Sequence, residues 1–104
     1  MIIYNVTAHI EPSIEKDWLN WMEEKHLPDM LATGKFTTAK VFKVITDQDM
    51  GGVSYAAQYL CKNRADYTAY LEENAAALRK EGLERYGDKV LYFRTELQHQ
   101  FTQQ

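Results

Sequence analysis

With 104 residues, 45% of them hydrophobic and 26% charged, the chain can build one packed core but not two, so it reads as a single domain over 1–104. Fifteen acidic residues against twelve basic ones leave a net charge of −3, which gives no general pull toward nucleic acid or an anionic membrane. No apolar stretch approaches the roughly 20 residues that span a bilayer, no basic leader precedes an apolar run, and Cys61 has no internal disulfide partner, so a cytoplasmic location is the expectation.

Residues 2–10 open with a strand, in which Ile2, Tyr4, Val6, Ala8 and Ile10 alternate with Ile3, Asn5, Thr7 and His9. Glu11-Pro12-Ser13 makes the turn, and Ser13 as N-cap with Glu15 near the start predicts a helix over 14–26. That helix carries Ile14, Trp18, Trp21, Met22 and Lys25 on one side, with His26 at the edge of the arc. Leu27-Pro28 comes next, and proline disfavours helical geometry in the preceding residue, so the helix is expected to stop at the histidine. A last-turn histidine meets the negative end of the helix dipole, which favours its charged form, whereas burial against the tryptophans opposes it.

A second strand is expected over 36–46, a loop over 47–52 and a third strand over 53–61, the two strands pairing as an antiparallel hairpin. Asn63 can cap a second helix with Asp66 three residues on, and Tyr67, Tyr70, Leu71, Asn74 and Leu78 repeat at helical spacing to about residue 80. Gly82 and Gly87 are expected to loosen the chain beyond that helix. A last strand over 89–99 alternates Leu91, Phe93, Thr95 and Leu97 with Val90, Tyr92, Arg94 and Glu96, and the tail over 100–104 is expected to fray.

Strand, helix, strand, strand, helix, strand is the βαββαβ order of the ferredoxin-like α+β fold, a four-stranded antiparallel sheet with two helices on one face. The other face is left uncovered. It is expected to display Asn5, Thr7 and His9 with Tyr92, Arg94 and Glu96, and a second copy of the chain packing there as a homodimer would cover it.

The opening MIIYNV, the stretch WLNWMEEKHLP over 18–28, LATGKF over 31–36 and FRT over 93–95 together resemble a family of short bacterial proteins known only as a domain of unknown function. That family belongs to the dimeric α+β barrel superfamily, and the likeness covers nearly the whole chain. The H.P element followed by a glycine and an aromatic is also similar to the EthD-like and NIPSNAP-like branches. Other branches hold cofactor-free monooxygenases, haem-degrading enzymes and muconolactone-type isomerases, which commonly place ligands between sheet and helices. Such breadth means that the fold does not choose a reaction.

The candidate site centres on His26, whose imidazole titrates near neutral pH and can act as a general acid or base beside Tyr4, Trp18, Met22 and Tyr55. Its plainer alternative is a histidine that caps its own helix through a backbone carbonyl. Trp18 and Trp21 serve as core as readily as they line a cleft. Tyr67 and Tyr70 face inward from the second helix and can offer hydroxyls or simply rim the core. Arg94 can hold a carboxylate by its planar fork, or pair with an acidic residue across the dimer face, where His9 is also placed.

No metal site is expected, since Glu23 and His26 have Glu-x-x-His spacing without the partner motifs that a carboxylate bundle needs. Cys61 reads as a small buried residue. No phosphate-binding glycine motif appears, and the strand over 53–61 lacks the signature of RNA-binding domains sharing this fold, so neither nucleotide nor nucleic acid is expected. No cofactor is called for, although His26 as an axial haem ligand is a third possibility. The leading reading is a dimer binding a small apolar or aromatic molecule between sheet and helices, with or without catalysis. The alternative is an interaction or regulatory module acting through assembly.

Overall fold

The sheet grows outward from two central strands, β1 (Ile2–Ile10) and β3 (Val53–Cys61), flanked by β2 (Thr38–Lys43) beside β3 and β4 (Val90–Gln98) beside β1. The computed structural model describes residues 1–45 and 51–104. The expected strand end at Thr46 and most of the expected loop, 47–50, lie outside the described residues. All three strand pairs are antiparallel, and residues opposite each other share a face, so Tyr4 lies between Tyr59 and Glu96, and Val6 between Ala57 and Arg94. The period of two in β1 is the burial pattern: Ile2, Tyr4, Ala8 and Ile10 are buried. β2 starts two residues later than expected, because Phe36 leaves the strand path to pack its ring edge-on to Tyr70, centroids 4.8 Å apart.

The first helical stretch does not stop at proline. A 3-10 turn (Pro12–Ile14) leads into α1 (Glu15–Trp21), a π-helical turn (Met22–His26) and then α2 (Leu27–Ala32), so the chain stays helical six residues past His26. Pro28 has no N–H and its ring would press on the Glu24 carbonyl in a regular α-helix. The wider turn, in which the Leu27 N–H donates to the Met22 carbonyl, moves that carbonyl ladder out of register and accommodates the ring.

The second helix starts as expected, with Asn63 Oδ1 accepting from the Asp66 N–H at 2.9 Å. α3 (Arg64–Glu73) breaks at Asn74, and α4 (Ala75–Tyr86) runs well beyond residue 80. Gly82 therefore does not loosen the chain: it is buried inside α4, where a Cβ would stand 3.3 Å from Trp21 Cη2. The two helical stretches cover one face of the sheet, and no helix among the described residues is long and apolar enough to cross a membrane.

The pairing corrects the expected make-up of the uncovered face. Tyr92 lies opposite Ala8 and Arg94 opposite Val6, so both stand on the helix-covered side with Glu96. Opposite Thr7 and Asn5 are Phe93 and Thr95, with Leu91 beside His9 and Leu97 beside Ile3. The open face thus carries Leu91, Phe93 and Leu97 on β4 and Phe42 on β2, all exposed. Asn5, Thr7 and His9 do lie there, tied to their neighbours by Asn5–Thr95 and His9–Ser54 side-chain hydrogen bonds.

Candidate functional site: a cavity between sheet and helices

His26 is aimed by the π turn. In a regular α-helix a residue five positions after Trp21 would sit about 140° away around the axis. A turn closed by i→i+5 hydrogen bonds returns residue 26 to the neighbourhood of residue 21. The imidazole accordingly stacks on the Trp21 indole, ring centroids 4.7 Å apart and planes 25° from parallel. Its Nδ1 is buried and has no hydrogen-bond partner among the described residues. Among the described residues the ring makes no hydrogen bond to a carbonyl, so it does not cap a helix, and the backbone remains helical around it.

Beneath this ring lies a cavity in which about 40 Å³ is open to the centres of water molecules, room for about three waters. Its floor is the helix-covered face of the sheet, chiefly Tyr4, Val6, Ala57, Tyr59 and Tyr92, with the exposed Arg94 at its rim. The walls are Trp18, Trp21, Met22, His26 and Met30 from the first helical stretch, and Tyr70, Leu78, Arg79 and Gly82 from the second. Gly82 is what lets α4 approach Trp21 closely. Trp18 is held in place by its Nε1–H, which donates to the Tyr92 hydroxyl at 3.4 Å, and by the Tyr55 ring on its other side.

Burial sets the protonation states. It is the largest influence on His26 and lowers its pKa below the ordinary 6.5, against the nearby Glu81 and Asp29 carboxylates, which favour the charged ring; Lys25 and Arg94 add to the lowering. The opposition between dipole and burial is thus decided for burial, because the helix does not end at this residue. Lys25 bridges Asp29 at 2.5 Å and Glu81 at 3.3 Å, joining α2 to α4 across the edge of the site. Burial likewise raises the pKa of Tyr59, Tyr70 and Tyr92, so these phenols are neutral hydroxyls at pH 7. Arg79 donates to the Tyr4 hydroxyl at 3.0 Å, and Arg94 lies over the Tyr92 ring at 5.2 Å. The cavity therefore presents a neutral imidazole, several hydroxyls and two guanidinium groups.

The sequence profile described as Domain of unknown function (DUF4286) matches residues 1–100. The chain belongs to the DUF4286 family. No curated protein matches it. Among solved structures, an EthD family protein of Bacillus halodurans superposes with a TM-score of 0.65 at 12% identity, covering 94% of this chain and all of that one. A dimeric ferredoxin-like protein from an uncultured marine organism gives 0.71 at 11% identity, covering 92% of each chain. A protein of Arabidopsis thaliana gives 0.69 at 9% identity over 98% of this chain and all of the other. Identities this low speak for the ferredoxin-like fold alone.

In this DUF4286 chain, four of the residues singled out from sequence, Tyr4, Trp18, Met22 and His26, meet at one cavity. Two others do not. Tyr55 lies beyond Trp18, where its hydroxyl donates to Glu15 at 2.5 Å and its pKa is pushed up to about 12, first by burial and then by that bond. Tyr67 packs behind Tyr4 and Tyr70 with Arg64 over its ring. Tyr92 and Arg94, expected on the dimer face, line the cavity instead. Sequence reasoning misses Arg79 altogether; an arginine on an amphipathic helix has no pattern that separates a cavity rim from a solvated surface. Among the described residues no group of three or more His, Cys, Asp or Glu could hold a metal ion. The space beside His26 does not fit a porphyrin, since room for about three waters is far short of a macrocycle.

Proposed function

We propose that this DUF4286 protein binds a small, partly apolar molecule in the cavity between sheet and helices and that His26 is the group that handles a proton there. The observation that carries the reading is that His26, whose Nδ1 is buried with no partner among the described residues, lines a cavity together with Trp18, Trp21 and Met22. Buried polar atoms normally find a partner, and one left open at a cavity suits a ligand that supplies it. A neutral imidazole can accept a proton from a bound C–H or O–H acid, and neighbouring hydroxyls can donate to the oxygen on which charge develops. These groups suit cofactor-free proton transfer, which is the whole reaction of an isomerase and, with dioxygen as the oxidant, the opening step of a cofactor-free monooxygenase.

Titrating the protein with small aromatic ligands while following tryptophan emission tests the proposal. A saturable change that weakens at least about tenfold in His26→Ala is expected, and a response that His26→Ala leaves untouched would dismiss the histidine's role.

A second reading, a homodimeric interaction or regulatory module, is favoured by a different observation: Leu91, Phe93, Leu97 and Phe42 lie exposed on one sheet face. A second copy laid on that face would bury them. The two readings are compatible, because the cavity opens on the opposite side of the sheet.

A further inference from the structure

The chain has four arginines, and their surroundings divide them into two kinds. Arg64 is paired with Glu96 at 2.8 Å, and Arg85 with Asp17 at 3.3 Å. Arg79 and Arg94 have no carboxylate within ion-pair distance among the described residues, and these are the two that line the cavity. No Asp or Glu among the described residues lines it. A chain with net charge −3 has therefore kept acidic side chains out of one concave site and left two cations there.

Neither guanidinium is spent. Arg79 uses one nitrogen on Tyr4, leaving most of its five N–H groups available, and Arg94, with its Cζ 5.2 Å from the Tyr92 ring centroid, makes no side-chain hydrogen bond or ion pair among the described residues. Both residues reach solvent, so they stand at the mouth, while Trp21, Met22 and Met30 are buried within.

We propose, resting on the binding role given above, that the ligand is a small monocarboxylic acid whose carboxylate lies at the mouth against Arg94 and Arg79 and whose apolar body enters toward Trp21, Met22 and Met30. A planar fork meets a carboxylate with two parallel hydrogen bonds, and such charge-assisted pairs strengthen as water is excluded. The volume available sets the size of the body at about four to six heavy atoms, the space of about three waters. The carboxylate places the carbons next to it below the stacked imidazole, where Nδ1 can meet a proton of the ligand.

The test is calorimetric titration of the full-length protein with two isosteric pairs, benzoate against benzamide and 2-butenoate against 2-butenamide. At least one acid is expected to bind about ten- to a hundredfold more tightly than its amide. Arg94→Gln should remove most of that preference by weakening the acid far more than its amide; Arg79→Gln should act in the same direction. Equal binding of acid and amide overturns the carboxylate inference while the binding cavity stands. Preference for the acid that persists in the Arg94→Gln, Arg79→Gln double variant places the carboxylate elsewhere and also overturns it. If none of the four compounds binds at millimolar concentration, both the inference and the reading beneath it fall.

Discussion

At the scale of single residues, His26 and Gly82 do the shaping. Because burial holds the His26 pKa below 6.5, the ring is neutral in folded and unfolded chains above about pH 7, and its contribution to stability is whole there. As the pH falls through 6.5 the unfolded chain takes up a proton that the fold resists, so stability declines until the lower folded pKa is passed. Glu81 and Asp29 limit the decline and Lys25 and Arg94 deepen it. Urea unfolding of the wild type and His26→Phe at about pH 7.5 and 5.0 is expected to show a larger loss in the wild type; equal losses would mean that the imidazole is not held neutral. Gly82 contributes by having no side chain. In Gly82→Val the new methyls would meet Trp21, whose Cη2 already lies 3.3 Å from a Cβ position, and overpacking of this kind costs about 1–3 kcal/mol. A lowered urea midpoint and loss of ligand response together are expected, whereas a variant that unfolds like the wild type would show that Trp21 can step aside.

The element that decides the site is the π turn, and it also marks where the sequence ceases to be readable. Strands declare themselves by alternation whatever packs on them, which is why β1 and β3 fall within the expected bounds, and Asn63 announces the start of α3 by its own capping chemistry. Pro28 also gives a true signal of a break in the regular helix, but the chain answers it by widening one turn and continuing through α2 rather than by ending. Whether a proline ends a helix or is absorbed depends on what the next turn buries, here Met30 at 1% exposure, and that is a tertiary fact. If Pro28 imposes the π turn, Pro28→Ala restores a donor and lets the segment relax to a regular α-helix, carrying His26 round the axis and off Trp21. Stability should change by no more than about 1 kcal/mol, since the regained hydrogen bond is offset by a more flexible unfolded chain. The His26 pKa, tracked by NMR, should return toward 6.5; a ring that still titrates low would show that packing of α2, rather than proline, sets the turn.

For the whole molecule, the phase of β4 matters most. Two alternating sets are legible in residues 90–97, but nothing local says which set faces the helices, because that depends on register against β1. The more apolar set, Leu91, Phe93 and Leu97, lies on the open face, while Tyr92 and Arg94 turn inward to the cavity. The single shift of phase accounts both for the misplaced arginine and for the character of the outer surface. With Phe42 across the sheet, these residues make a face too apolar to be left wet at no cost, and a second copy meeting it face to face would bury Phe93 near its centre, where it is 61% exposed in the single chain. The wild type is therefore expected to sediment as a dimer at micromolar concentration. Phe93→Lys, which puts a charge into the middle of the buried face, should sediment as a folded monomer with the far-ultraviolet spectrum of the parent. Because the cavity lies on the other side of the sheet, ligand affinity per chain should survive the substitution to within a few-fold. A wild type that sediments as a monomer would remove the dimer, and a dimer that withstands Phe93→Lys would place its interface somewhere other than this sheet face.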